Sequence, residues 1–124
     1  MPRVVHFEIP TDDPARAAKF YQDVFGWNIQ KWEGDQEYWL ATTGESNQPG
    51  INGGLMKRAD FPNFTQVINT IDVPDVDEFT TAIAAHGGQV VMPKFVVPGI
   101  GFLAYCQDTE GNTFGVMQGD PTAR

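Results

Sequence analysis

The sequence predicts an α+β chain made of two βαβββ modules, and three observations carry that expectation. The stretch "VVHFEIP", Val4 to Pro10, alternates at the period of a β-strand. A capped, amphipathic helix and a glycine follow it. The same order of strand, cap, helix and glycine then returns 62 residues later, so that Ile9 aligns with Ile71, Asp13 with Asp75 and Gly26 with Gly88.

In the first module, Asp13 suits the N-cap and Pro14 the first helical position. Ala17, Phe20, Tyr21, Val24 and Phe25 recur at helical spacing, and Gly26 ends the helix. Strands are expected at Trp27–Trp32, Glu37–Thr42 and Asn52–Lys57. Arg58 to Phe64 reads as the joining segment. In the second module, Gln66–Val73 alternates as a strand. Asp75 caps, with Glu78 three residues on. Val76, Phe79, Ala82, Ile83 and His86 form the helical stripe, which Gly87 and Gly88 stop. "QVVM" at Gln89–Met92, Phe102–Gln107 and Thr113–Gln118 supply the remaining strands. "PKFVVPGIG", from Pro93, reads as a loop. The expected division is therefore residues 1–62, 63–118 and a tail without structure at 119–124, together one domain.

A βαβββ sheet covered by its helix on one face leaves the other face to be buried elsewhere. Two such modules would solve this by curving their uncovered faces into an incomplete barrel with a cavity. Strand parity then puts Val5, Phe7 and Ile9 under the helix, and His6 and Glu8 on the other face, roughly 7 Å apart along the chain. An imidazole and a carboxylate so placed can act as acid and base, or share a metal.

The bulk properties bound the function. The chain has 124 residues, 41% hydrophobic and 19% charged, as expected of an ordinary globular domain. Its net charge of −8 argues against a surface for nucleic acid or anionic membranes, which needs basic patches. No apolar run approaches a membrane span and the start lacks a secretory core, so a cytoplasmic protein is expected. The single cysteine, Cys106, excludes an intrachain disulfide and reads as a buried, inert thiol. His86, at a helix end, reads as structural. The glycines at 50, 53, 54, 99 and 101 lack the lysine spacing of a phosphate loop and are expected at turns or close backbone approaches.

His6, Asp13, Phe20–Tyr21, the "FGW" at Phe25–Trp27 and "DTEGNTFGVMQ" at Asp108–Gln118 resemble the vicinal oxygen chelate superfamily, which includes glyoxalase I, bleomycin-resistance proteins and extradiol dioxygenases. "VVHFEIP", "GING" and "VPGIGFLAYCQDTEGN" look most like its glyoxalase-like subgroup. The resemblance spans Val4 to Gln118. It implies the glyoxalase/bleomycin-resistance/dioxygenase fold, a small-molecule ligand and a homodimer. It also implies a divalent metal (Zn, Mg, Mn, Ni or Fe) held by His, Gln and Glu from the first and last strands of the modules.

Carried over residue by residue, His6 keeps a ligand at the first-strand position. Ile68 stands at the matching position of the second module, and Gly115 stands where the last-strand glutamate belongs. Neither can ligate. "GINGGLM" offers no carboxylate or imidazole. His6 and Glu8 are thus the candidate catalytic residues and the candidate metal ligands, with Asp72 a possible third donor. Tyr38, Trp39, Ile68, Thr70, Phe102, Gly115 and Met117 are the candidate ligand-binding residues; one of Tyr38 and Trp39 should face the cavity. The resemblance implies either a metal-dependent lyase, isomerase or dioxygenase, or a protein that sequesters a small molecule without chemistry. Full glyoxalase I activity is not expected from so reduced a ligand set. The reading is a glyoxalase-like protein with a degenerate metal site, with or without a metal.

Overall fold

The structure is a computed structural model that describes residues 2–34, 37–61 and 64–124. It is α+β. In chain order the elements are β1 (Val4–Thr11), α1 (Pro14–Phe25), β2 (Asn28–Lys31), β3 (Tyr38–Thr42), β4 (Asn52–Lys57), β5 (Ile68–Asp72), α2 (Val76–Ala85), β6 (Gln89–Val97), β7 (Gly101–Gln107) and β8 (Thr113–Gly119). They fall into two compact units, residues 6–68 and residues 1–5 with 69–124. The boundary expected at residues 62 and 63 lies outside the described residues.

The two units repeat one plan. In the first, β1 pairs in parallel with β4, while β3 runs antiparallel to both β4 and β2. In the second, β5 pairs in parallel with β8, and β7 runs antiparallel to β8 and β6. The helix starts are built alike. The Asp13 carboxylate accepts from the Arg16 N–H at 3.2 Å, and Asp75 accepts from the Glu78 N–H at 3.1 Å. Each bond satisfies one of the donors that a first helical turn leaves unpaired. Gly26 closes α1 with φ 74°, a conformation that disfavours residues with a Cβ.

Each helix packs on one face of its own sheet. Ala18 of α1 is buried with Ile29, Ala41 and Leu55, and Ile9, Ala17, Tyr21, Trp27 and Trp39 pack around them. Val76 of α2 is buried with Val73, Ala104, Cys106 and Val116, flanked by Ile71, Phe79, Ile83, Phe102 and Phe114. The Cys106 thiol is fully buried, and that burial raises its pKa above the ordinary thiol value, which makes it a poor nucleophile.

Two expectations are corrected. "PKFVV" is not loop: β6 continues through it to Val97. Pro93 is tolerated because the pairing of β6 with β7 slips between Val90 and Met92 and again between Met92 and Phe95. The last residues are not loose either. Gly119 ends β8, Ala123 is buried, and the Ala123 carbonyl accepts from the Gly99 N–H at 2.9 Å. Among the described residues no helix is long and apolar enough to cross a membrane.

Candidate functional site

The first unit has a helix-free face, and strand pairing decides what lies on it. Glu8 pairs with Gly54 and Phe7 with Gly53, so the two adjacent glycines of β4 serve opposite faces. A Cβ on Gly53 would collide with the Phe7 ring, which meets Trp27 on the helix side at 5.9 Å between centroids. A Cβ on Gly54 would collide with the Tyr38 phenol. Tyr38 therefore lies on the helix-free face with Glu8 and, by strand parity, His6. A double glycine inside a strand is a sequence signal for such close approaches.

The His6 Nε2 and the Tyr38 hydroxyl are hydrogen-bonded at 2.6 Å, with the two rings nearly parallel at 15°. Burial pulls the His6 pKa below the usual imidazole value of 6.5, and the charge of nearby Glu8 partly opposes this. The ring is thus held neutral near pH 7. Glu8 itself is 5% exposed, a buried carboxylate on the face opposite the helix.

The second unit supplies a comparison within the chain. Counting back 62 residues from Ile68 and Thr70 gives His6 and Glu8. Thr70 pairs with Gly115 as Glu8 pairs with Gly54. Tyr105 of β7, directly opposite Gly115, again comes close to the glycine: a Cβ there would meet the Tyr105 ring at 3.4 Å and the Thr70 hydroxyl at 3.0 Å. Both halves therefore keep a glycine beside a tyrosine from the neighbouring strand. The imidazole and carboxylate occur in the first half, while Ile68 and Thr70, both buried, hold those positions in the second.

The remaining candidates separate by face. Thr70, Gly115 and Met117 share the helix-free side of the second unit, and Ile68 shares the parity of Thr70 on β5. Trp39 and Phe102 do not belong with them. Trp39 pairs with Leu55 and packs on the α1 core, and Phe102 packs on the α2 core with the Lys94 ammonium 5.3 Å above its ring. The cause is parity: Tyr38 takes the helix-free side, so its neighbour Trp39 must take the other. The Trp39 indole Nε1 is buried there without a hydrogen-bond partner.

The donor set does not fit a resident divalent metal. His6 Nε2 is committed to Tyr38, and Ile68 and Gly115 bring no ligating atom. Among the described residues no three His, Cys, Asp or Glu side chains converge as a metal would require. What the arrangement offers is a neutral imidazole, a phenol hydroxyl and a carboxylate on one sheet face.

Residues 3–44 match the family described as bleomycin resistance protein-like N-terminal. The chain is 30% identical over 116 residues to proteins of Mycobacterium bovis and Mycobacterium tuberculosis provisionally named glyoxylase CFP32. Those alignments cover 92% of this chain and 43% of each relative, so the chain spans less than half their length. Among solved structures it is similar to methylmalonyl-CoA epimerase from Mycobacterium tuberculosis, with a TM-score of 0.71 at 15% identity, over 95% of this chain and 88% of that one. It is also similar to the hypothetical protein BH1468 from Bacillus halodurans, with a TM-score of 0.73 at 13% identity, over 99% and 98% of the two chains. At such identities the structural likeness speaks to the fold.

Proposed function

We propose that this chain, of the vicinal oxygen chelate superfamily, is a glyoxalase-like protein with a degenerate metal site that binds a small molecule on the helix-free sheet face of its first unit. The observation that carries the reading is the hydrogen bond between His6 and Tyr38 beside buried Glu8. Strands that merely needed burial would hold apolar residues there, as Ile68 does at the position matching His6. Metal-dependent lyase, isomerase or dioxygenase chemistry needs donors that Ile68 and Gly115 do not supply. Ligand binding without a resident metal is therefore the reading supported best, as in the sequestering members of the superfamily. Thr70, Gly115 and Met117 are proposed as lining residues of the second unit. A cytoplasmic setting accords with the free thiol of Cys106.

Protein purified without chelators or a metal-affinity tag is expected to carry no stoichiometric divalent metal by elemental analysis. A panel of small molecules is expected to raise its melting temperature, and His6→Ala to weaken that response. Stoichiometric metal that His6→Ala removes would overturn the metal-free reading. A panel that never shifts the melt would overturn the ligand-binding reading.

Assembly as a homodimer is part of the proposal. Phe20, Val24 and Phe25 of α1 are 56%, 57% and 61% exposed, a large apolar display for a lone chain. Light scattering giving 13.7 kDa across micromolar concentrations would refute it.

A further inference from the structure

Resting on the homodimer reading above, we propose that the dimer forms through α1. Its outward face packs antiparallel on the α1 of a second copy, with Lys19 of each copy opposite Asp23 of the other.

Arg16, Phe20 and Val24 follow one another four residues apart, so they form one ridge along the helix. Phe20 and Val24 are more than half exposed, as is Phe25 at the helix end. Their rings are held in place. Tyr21 meets the Phe20 ring edge-on at 5.2 Å and stacks on Trp27 at 4.9 Å and on Phe25 at 6.2 Å, while Tyr21 and Trp27 also pack on the α1 core. A display so anchored loses little side-chain freedom on docking. The fold of the module does not require it. The 62-residue shift matches Phe20 to Ala82 and Val24 to His86, and α2 exposes no large apolar side chain.

The charges point to a second α1 as the occupant. Past the Asp13 cap, α1 opposes its own dipole: its first turn holds Arg16 and no acidic residue, and its last turn holds Asp23 and no basic residue. In contrast, α2 has Asp77 and Glu78 in its first turn. Lys19 also precedes Asp23, the weaker order for a pair four residues apart. A second α1 running the other way turns each of these into an attraction. Lys19 then lies opposite Asp23 of the second copy, and Phe20 opposite Val24 of that copy. The Arg16 guanidinium, which makes no hydrogen bond or ion pair among the described residues, comes beside the carbonyl end of the other helix. The Lys19–Asp23 and Phe20–Val24 pairings centre on residues 21 and 22, one helical rise of about 1.5 Å apart, so a single two-fold axis serves both and every contact is made twice. A parallel copy would set Lys19 on Lys19 and Asp23 on Asp23. A helix of 12 residues is about 18 Å long, so the contact is smaller than the roughly 800 Å² per partner of a standard interface, and micromolar dissociation is expected.

Sedimentation equilibrium from micromolar to millimolar protein tests the assignment, with circular dichroism to show that each variant is folded. The parent is expected to dimerise in that range. Phe20→Ser and Val24→Ser should each raise the dissociation constant about tenfold or more, as for anchors of an interface. Val67→Ser is the control and should leave it unchanged, because Val67 is exposed to the same 57% as Val24 and lies outside α1. Lys19→Glu and Asp23→Lys should each weaken the dimer about threefold or more, and an equal mixture of the two variants should regain the parental affinity as a heterodimer. Lys19→Glu that dimerises as tightly as the parent overturns the antiparallel arrangement. A parent dimer that Phe20→Ser and Val24→Ser leave intact overturns the proposal while the homodimer reading stands. A parent that stays at 13.7 kDa throughout overturns both.

Discussion

The phenol of Tyr38, on β3, fills the space above Gly54, on β4, into which any Cβ would project. The atoms in the way include the hydroxyl and ring carbons of a residue tied to His6, so they cannot swing aside without breaking that hydrogen bond. Gly54→Ala should therefore cost about 1–3 kcal/mol, the range for an overpacked site, and displace the His6 ring resonances. Gly115→Ala makes the matched control. Its nearest obstacle is the Thr70 hydroxyl at 3.0 Å, which a small shift relieves, so the cost should stay under about 1 kcal/mol. Urea melts of the two variants decide it; equal costs would show that Tyr38 is not held in place.

Adjacent positions on β1 should behave in opposite ways. Phe7 is half-buried on the helix side against Trp27, and its truncation to Ala should cost about 3 kcal/mol, the low end for a core Phe. His6→Ala removes one hydrogen bond and little apolar packing, a loss of about 1 kcal/mol. Thermal melts of both variants check the strand register. If His6→Ala unfolds the protein as readily as Phe7→Ala, the imidazole serves the core.

The elements, their caps and the duplication were legible in the sequence, because Asp13, Gly26, Asp75 and the apolar periodicities are local signals. The end of β6 was not. Pro93 and Pro98 mark a loop by local rules, and the bulged pairing that keeps the strand going depends on β7. The site was half legible. Parity placed His6 and Glu8 together, and predicted that one of Tyr38 and Trp39 would turn away from the helix. Which one did so depended on Trp39 pairing with Leu55, a register no local pattern encodes. The bond from Tyr38 to His6 spans 32 residues, and its trace in the sequence was the pair of glycines in β4. Phe102, like Trp39, packs on its helix-side core, and aromatic character alone does not say which side of a strand a residue takes.

The end of the chain should contribute measurably to stability. The Asp120 N–H donates to the Ile100 carbonyl at 2.8 Å, the Ala123 carbonyl accepts from Gly99, and the Ala123 methyl is buried. Deleting residues 120–124 removes both bonds and that burial, for an expected loss of about 2–3 kcal/mol. Ala123→Asp, which buries a charge at the same point, should cost at least as much. Unchanged urea midpoints for both variants would show that the tail is not docked in solution.

Stability should fall as pH drops through the ordinary histidine range, and His6 should be a cause. Its folded pKa lies below 6.5 because burial disfavours the imidazolium. Near pH 8 the ring is neutral in both the folded and unfolded chain and contributes no pH dependence. Below about pH 6.5 the unfolded chain takes up a proton that the folded one resists, so unfolding is favoured, and the loss stops growing below the depressed folded pKa. The Asp108 and Asp120 carboxylates, whose pKa values are lowered below 3.8 by hydrogen bonds from Asn112 and Thr122 respectively, lose their contribution only at more acidic pH, so the windows are separate. Among the strands of this face, Glu8 and Tyr38 are the titratable neighbours of His6, and Glu8 counteracts the burial. Urea melts from pH 8 to 5 should therefore show a smaller pH-dependent loss for His6→Gln than for the parent. Glu8→Gln, which removes the opposing charge, should push the His6 titration lower still by NMR and enlarge the loss. A parent and a His6→Gln curve that stay parallel across this range would refute the account.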